Sequence, residues 1–321
     1  MKICHVINSL SGGGAETHLL DLVHAQKDQG HTISVIATGP DNKNIKSLEQ
    51  EFTNLSDSVL RLYFPRLFNL YSYIKFFKNL KEKQYDIVHT HQPRSDFMFF
   101  ILKSFTTIKT TWIVSIHGKY DTYLEGNLFF DQIRKLSMPL LVKIWNSSNQ
   151  IICISQEVQK WLTTYKIKPN ISVVNYWISK TKLEKLEDTK ECINIGFMGR
   201  VNKNKGIEDL LDVFKDLSED RYNLSIAGSG KEAYLKRLKE RYDLKNVNFL
   251  GYISNKEEFF SNIDIFVFPS YSEGLGLVLL ESMSYSKICI SRDVAPMNSC
   301  LLYTSDAADD TPCVDLGGRR I

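Results

Sequence analysis

The sequence predicts an α/β protein of two open, doubly wound, Rossmann-like domains with parallel sheets, and three observations carry that prediction. Short apolar runs alternate with longer segments of helical period, the alternation restarts after a charged, poorly apolar stretch, and 321 residues with 43% hydrophobic content suffice for two cores. In the first half Ile3 to Ile7, His31 to Ala37, Ile87 to Thr90, Thr111 to Ile116 and Gln150 to Ile154 read as strands. In the second half Asn194 to Met198, Asn223 to Ala227, Val247 to Leu250, Ile263 to Pro269 and Lys287 to Ser291 do the same. The stretch between the two sets places an N-terminal domain at residues 1–179, a linker at 180–192 and a second domain at 193–298. Two such domains in tandem face a cleft, and ligands of parallel sheets bind beyond the carboxyl ends of the strands.

The pattern stops after Met297. Residues 299–321 share neither the periodicity nor the Lys, Asn and Tyr richness of the preceding chain, and read as a non-native tail that leaves the second domain incomplete, short of a last strand and its closing helices. A polar native tail is the alternative. The net charge of +3 is too small to indicate a nucleic-acid partner. Six cysteines without Cys-x-x-Cys spacing read as reduced thiols, and no segment has the length of a membrane span or the form of a secretory signal, so a cytoplasmic location is expected.

The loops after the second-half strands carry the chemistry. GRVNKNKG puts Arg200 and Lys205 just beyond a strand, where a guanidinium fork and a compact ammonium suit a diphosphate, although a solvated basic loop would look the same. IAGSG offers Gly228 and Gly230 for a tight strand-to-helix turn, and NVNFLGYI brings Tyr252 and Ile253 to the end of the next strand, where they could hold a nucleobase or simply form a turn. In PSYSEGLGLVLLE a loop broken by Gly274 and Gly276, with Leu275 between them, carries Glu273 into a helix that carries Glu281. The helix start offers unpaired N–H groups to a phosphate, and the two carboxylates can accept from hydroxyls.

Taken in this order and at these separations, GRVNKNKG, IAGSG, NVNFLGYI and SEGLGLVLLE resemble the retaining glycosyltransferases of family 4, which have the two-domain GT-B architecture, and the likeness spans about Met1 to Met297. The resemblance implies transfer of a sugar from a nucleotide diphosphate donor, a UDP- or GDP-sugar, to a glycan or lipid-linked acceptor in surface polysaccharide or glycolipid assembly, with no metal required. It assigns the donor diphosphate to Arg200 and Lys205, the sugar hydroxyls to Glu273, the ribose to Glu281, and part of the sugar and phosphate to the backbone of 274–276. In the first domain it matches SGGGAE, whose Gly13 and Gly14 can approach phosphate and acceptor, and His117 in SIHG, near the reacting sugar. Glu16, Arg94 and Asp96 are expected on the acceptor side. VVNYWIS departs from the family's usual Asn-Gly turn, with Asn175, Tyr176 and Trp177 in its place.

Two other features have competing readings. His89 and His91 lie close together in DIVHTHQPRSD, but a metal site there lacks neighbouring carboxylate or thiolate ligands at suitable spacing, and none is expected. The segment around residues 60–84 concentrates Arg61, Arg66, Lys75, Lys78, Lys81 and Lys83 with Phe76, Phe77 and Leu80, either as a face for peripheral contact with an anionic membrane or as a helix whose apolar stripe meets the sheet. For the reaction, leaving-group stabilisation by Arg200, Lys205 and helix-terminal amides is expected to dominate, with front-face attack because no residue stands out as a covalent nucleophile. A nucleotide-sugar epimerase or hydrolase, or a non-catalytic binder, are the rival readings.

Overall fold

In the computed structural model, the described residues are 1–41, 45–62, 64, 69–121, 128–175, 192–295, 297 and 313–315. The first half runs β1 (Lys2–Ile7), α1 (Gly14–Asp28), β2 (Thr32–Ala37), α2 (Glu49–Leu55), β3 (Ser58–Arg61), α3 (Leu70–Lys83), β4 (Ile87–His91), α4 (Pro93–Ser104), β5 (Thr111–Ile116), α5 (Leu128–Trp145), β6 (Gln150–Cys153), α6 (Gln156–Leu162) and β7 (Asn170–Val173). The second half runs β8 (Ile193–Met198), a 3-10 turn (Lys203–Lys205), α7 (Ile207–Phe214), β9 (Tyr222–Ala227), α8 (Glu232–Arg241), β10 (Val247–Gly251), α9 (Lys256–Ser261), β11 (Ile265–Phe268), α10 (Leu277–Ser284), β12 (Ile288–Ser291) and β13 (Cys313–Asp315). The chain divides into two compact units, Met1–Lys119 with Arg134–Asn175, and Tyr120–Ile133 with Tyr176–Ile321.

Each unit holds one parallel sheet, in the order β3-β2-β1-β4-β5-β6-β7 and β10-β9-β8-β11-β12-β13. Crossover helices cover a parallel sheet on both faces, so its central strands read as continuous apolar runs; β1 is buried from Ile3 to Ile7. In the second unit Phe197, Phe266 and Phe268 stack through the centre of the core, and Met297 is still fully buried in it. Helix starts use local chemistry: Asn69, Ser155 and Asn255 each accept a backbone N–H from the first turn of α3, α6 and α9.

All ten expected strands are present, and among the described residues three further strands were not expected. β3 (SVLR) and β7 (NISV) are four-residue, partly exposed strands without a strong apolar run, and become strands by pairing with β2 and β6. β13 lies in the tail that carries no strand signal, yet it pairs in parallel with β12, Ile290 opposite Val314. The expected linker at 180–192 lies outside the described residues except for Cys192, as do Tyr176 and Trp177.

The basic segment divides between the two readings given for it. Of the two readings, Phe76 and Leu80 follow the second: both are buried under α3, because the apolar stripe of a helix crossing a sheet turns inward. Arg61 is engaged by Asp41 and Glu49, at 2.7 Å each, and Arg66 lies outside the described residues. Among the described residues no helix is long and apolar enough to cross a membrane.

Candidate active site

Strand order points to where each sheet can bind something. In the second sheet the chain winds one way from β8 to β10 and the other way from β11 onward, so the loops after β8 and β11 part at a topological switch point, the crevice where doubly wound sheets take ligands. Those are the loops that carry Arg200, Lys205 and Glu273.

The two loops are stitched together. The Tyr271 N–H donates to the Asn204 carbonyl at 2.8 Å, and Asn204 Nδ2 donates to the Ser272 carbonyl at 3.1 Å. Gly206 permits this closeness: at φ +67° it already has a left-handed backbone, and a Cβ there would lie 2.1 Å from the Pro269 carbonyl oxygen. Held in this way, Lys205 Nζ donates to Glu273 Oε1, and the same oxygen accepts from Ser270 Oγ at 2.6 Å. The Lys205 ammonium also stands 5.3 Å from the centre of the Phe268 ring. Both side chains of the pair are mostly covered, 12% and 13% exposed, while Arg200 stands exposed at the rim. A cation and a carboxylate are thus held side by side, able to meet a phosphate and a hydroxyl respectively.

The surrounding residues extend this arrangement. Gly228, at φ +136°, lets the turn after β9 pass the β8 end so closely that a Cβ would lie 1.8 Å from the Gly199 carbonyl oxygen. Gly230 pairs with Val201 in an isolated parallel bridge. Gly274, Leu275 and Gly276 lead into α10, with Gly276 as its N-cap. Glu281 is one-sixth exposed and accepts from Lys256 Nζ at 2.5 Å. Tyr252 is exposed, and Ile253 leans on the core.

Sequence reasoning passed over the supports of this loop pair. Ser270 and Asn204 fix its geometry, and Arg292 clamps it: its guanidinium donates to the Pro269 carbonyl at 3.2 Å, pairs with Asp209 and lies 4.0 Å from the centre of the Tyr271 ring. A serine, an asparagine and an arginine with ordinary flanking sequence give no signal of this; only their convergence does.

In the first unit the switch point falls between β1 and β4. Gly13 caps α1, and Glu16 folds back over it, nearly buried, accepting from Ser9 Oγ at 3.1 Å and Gln92 Nε2 at 3.4 Å. Arg94 donates to the Phe64 carbonyl. Asp96 is fully buried and accepts from the Trp145 indole at 3.0 Å, so it faces the core; burial pushes its carboxyl up to about 7, against hydrogen bonds from Thr90 and Trp145.

Histidines fill the space beside this switch point. Strand register places His5 beside His89, and the period of two puts His89 and His91 on the same face of β4. His5 Nδ1 lies 3.0 Å from His91 Nε2, His91 Nδ1 lies 3.4 Å from His117 Nε2, and His89 Nε2 lies 2.8 Å from Ser115 Oγ. Burial drives all of these rings toward the neutral form: His5 and His117 fall to about 4, His18 to about 3, and His89 and His91 well below the ordinary value.

The carboxylate or thiolate whose lack counted against a metal at His89 and His91 is not supplied by the fold among the described residues either, but a third histidine is. His5 arrives from another strand, and the ligand atoms of His5, His89 and His91 lie within 4.8 Å of one another. The group brings no carboxylate or thiolate, so a divalent ion there would set its full charge in the core; His5 and His91 already bond each other, and His89 Nε2 is engaged by Ser115.

Comparison with known proteins decides the family. Residues 12–179 match the profile described as Glycosyltransferase Family 4, and residues 179–301 match Glycosyl transferases group 1. The chain belongs to this glycosyltransferase family. The glycosyltransferase is 26% identical over 297 residues to the alpha-monoglucosyldiacylglycerol synthase of Streptococcus pneumoniae, covering 84% of this chain and 66% of that protein. It is 22% identical over 317 residues to the capsular polysaccharide biosynthesis glycosyltransferase CapH of Staphylococcus aureus, covering 96% and 86%. In fold it is similar to Anabaena HepE crystallised with UDP-glucose, at a TM-score of 0.76 and 18% identity, covering 93% of this chain and 82% of that one. Both units of the glycosyltransferase are therefore of the GT-B type.

Proposed function

We propose that the glycosyltransferase moves a sugar from a nucleotide diphosphate donor to an acceptor hydroxyl with retention of anomeric configuration, in the cytoplasmic assembly of a surface polysaccharide or glycolipid. The observation that carries this reading is the Lys205–Glu273 pair at the switch point of the second sheet, in loops tied together by Asn204 and Tyr271. Arg200 and Lys205 take the diphosphate in place of a divalent cation, with the amides at the start of α10 beside them. Glu273 orients the sugar hydroxyls, Glu281 takes the ribose, and His117 meets the reacting sugar. Gly13 and Gly14 keep the loop after β1 low enough for phosphate and acceptor to approach.

The bond from the anomeric carbon to the diphosphate breaks toward an oxocarbenium-like state as the acceptor oxygen approaches on the same face. The acceptor proton passes to the departing phosphate oxygen, so no covalent sugar–enzyme intermediate forms. The setting is supported by relatives whose names place them in capsule, O-antigen and glycolipid synthesis, and the donor class by HepE, crystallised with UDP-glucose.

Radiolabelled UDP- and GDP-sugars supplied with membranes and the protein test the reading. A larger labelled product that disappears in Lys205→Met supports transfer. Free monosaccharide or isomerised donor without such a product overturns it, as does a trapped sugar adduct for the front-face step.

A further inference from the structure

We infer that Gln26 and His5, acting through His91, are positioning residues that set which ring nitrogen of His117 carries the proton. Four side chains form one line. His5 Nε2 lies 2.8 Å from Gln26 Oε1, His5 Nδ1 lies 3.0 Å from His91 Nε2, and His91 Nδ1 lies 3.4 Å from His117 Nε2. Gln26 belongs to α1, His5 to β1, His91 to β4, and His117 follows β5, so three neighbouring strands and the helix across them supply the line.

A neutral imidazole has one donor and one acceptor. His5 and His91 are fully buried and held neutral, so a line through three rings has only two self-consistent states. In one, every ring carries its proton on Nε2, Gln26 accepts at the far end, and His117 Nδ1 is an acceptor. In the other, every ring carries it on Nδ1, the Gln26 amide donates, and His117 Nδ1 is a donor. No ring can change alone without setting two protons, or two lone pairs, against each other inside the core, which costs about as much as leaving a buried polar group unsatisfied. With Oε1 of the Gln26 amide facing His5 Nε2, the arrangement is that of the first state.

His89 stands outside the line. Its ring centre lies 4.1 Å from that of His91 with the planes tilted by 32°, and its Nε2 engages Ser115. A half-buried glutamine on a helix is thereby linked to the hydrogen-bonding sense of a histidine on the far side of two strands. In a sugar transferase that sense decides whether His117 accepts from a hydroxyl or donates to an oxygen, a consequence that rests on the function proposed above.

Proton-detected nitrogen-15 spectroscopy of histidine-labelled protein reads the tautomers directly, with signals assigned through His5→Asn, His91→Asn and His117→Asn. The expected result is the Nε2–H form at all three rings, kept in Gln26→Glu, whose carboxylate can only accept, and replaced in Gln26→Leu by a mixture at His117. Turnover should follow the same order: Gln26→Leu lowers kcat on the order of tenfold with KM little changed, the scale of partners that orient a functional histidine, and Gln26→Glu restores it. A His117 tautomer indifferent to Gln26→Leu overturns the inference. So does stoichiometric zinc uptake that shifts the His5 and His91 signals together, since the same nitrogens would then be ligands. Tautomers that respond to Gln26 while kcat does not leave the line intact and refute the role proposed for His117.

Discussion

Lys205 and Glu273 support each other's position, and the energy of that support can be separated from the role proposed for them on a donor. Lys205→Met leaves a carboxylate that is 13% exposed and retains only the Ser270 hydroxyl among its two partners here. Stranding a mostly covered charge costs several kcal/mol in the deep interior, and this pair keeps some water, so a loss of about 2–3 kcal/mol of folding stability is expected. Glu273→Gln keeps an acceptor oxygen for both Lys205 and Ser270 and should cost less, about 1–2 kcal/mol. The double variant should recover part of the sum, with a coupling of about 1–3 kcal/mol in urea titrations followed by tryptophan fluorescence. In turnover, if Lys205 meets the leaving diphosphate as proposed, Lys205→Met should raise the barrier by about 2–4 kcal/mol, roughly 30- to 1000-fold in kcat. Additive stability losses would refute the pairing. Full turnover in the folded double variant would refute the catalytic assignment.

Gly228→Ala sets a Cβ 1.8 Å from the Gly199 carbonyl oxygen at a φ of +136° and should cost about 3–5 kcal/mol in the same titrations, whereas Gly30→Ala, at φ +78° with nothing within 4 Å, should cost only about 1–2 kcal/mol. The buried histidines make the fold acid-sensitive. Their folded values, about 4 for His5 and His117, lie below the ordinary 6.5, so the unfolded chain binds more protons, and stability should be full above about pH 6.5 and fall toward pH 4 in thermal melts across that range. Asp96 acts in the opposite sense: with its carboxyl raised from 3.8 to about 7, its contribution is full below about pH 4 and lost as pH rises through 7. Asp96→Asn should therefore gain on the parent protein by up to about 4 kcal/mol between pH 4 and pH 8, and a pH-independent difference would refute the burial effect.

The sequence alone determined which segments are central strands and where the loops that carry charge begin. Apolar runs such as those of β1, β8 and β11 are the direct imprint of a parallel sheet covered on both faces, and a glycine beside a charged residue at the end of such a run is visible without coordinates. Short edge strands β3 and β7 escaped it because half-exposed strands need little apolar sequence, and their pairing partner supplies the order. Tertiary structure alone decided the rest: that Lys205 and Glu273, far apart in the chain, share one hydrogen-bonded loop pair, that Arg292 clamps it, and that Asp96 turns inward. It also decided the histidine line, because His5 meets His91 through the register of β1 on β4, a relation between strands that no local pattern encodes. Backbone preference and burial act along the chain and leave periodic traces there, whereas the meeting of polar groups depends on which crossover brings which strand ends together.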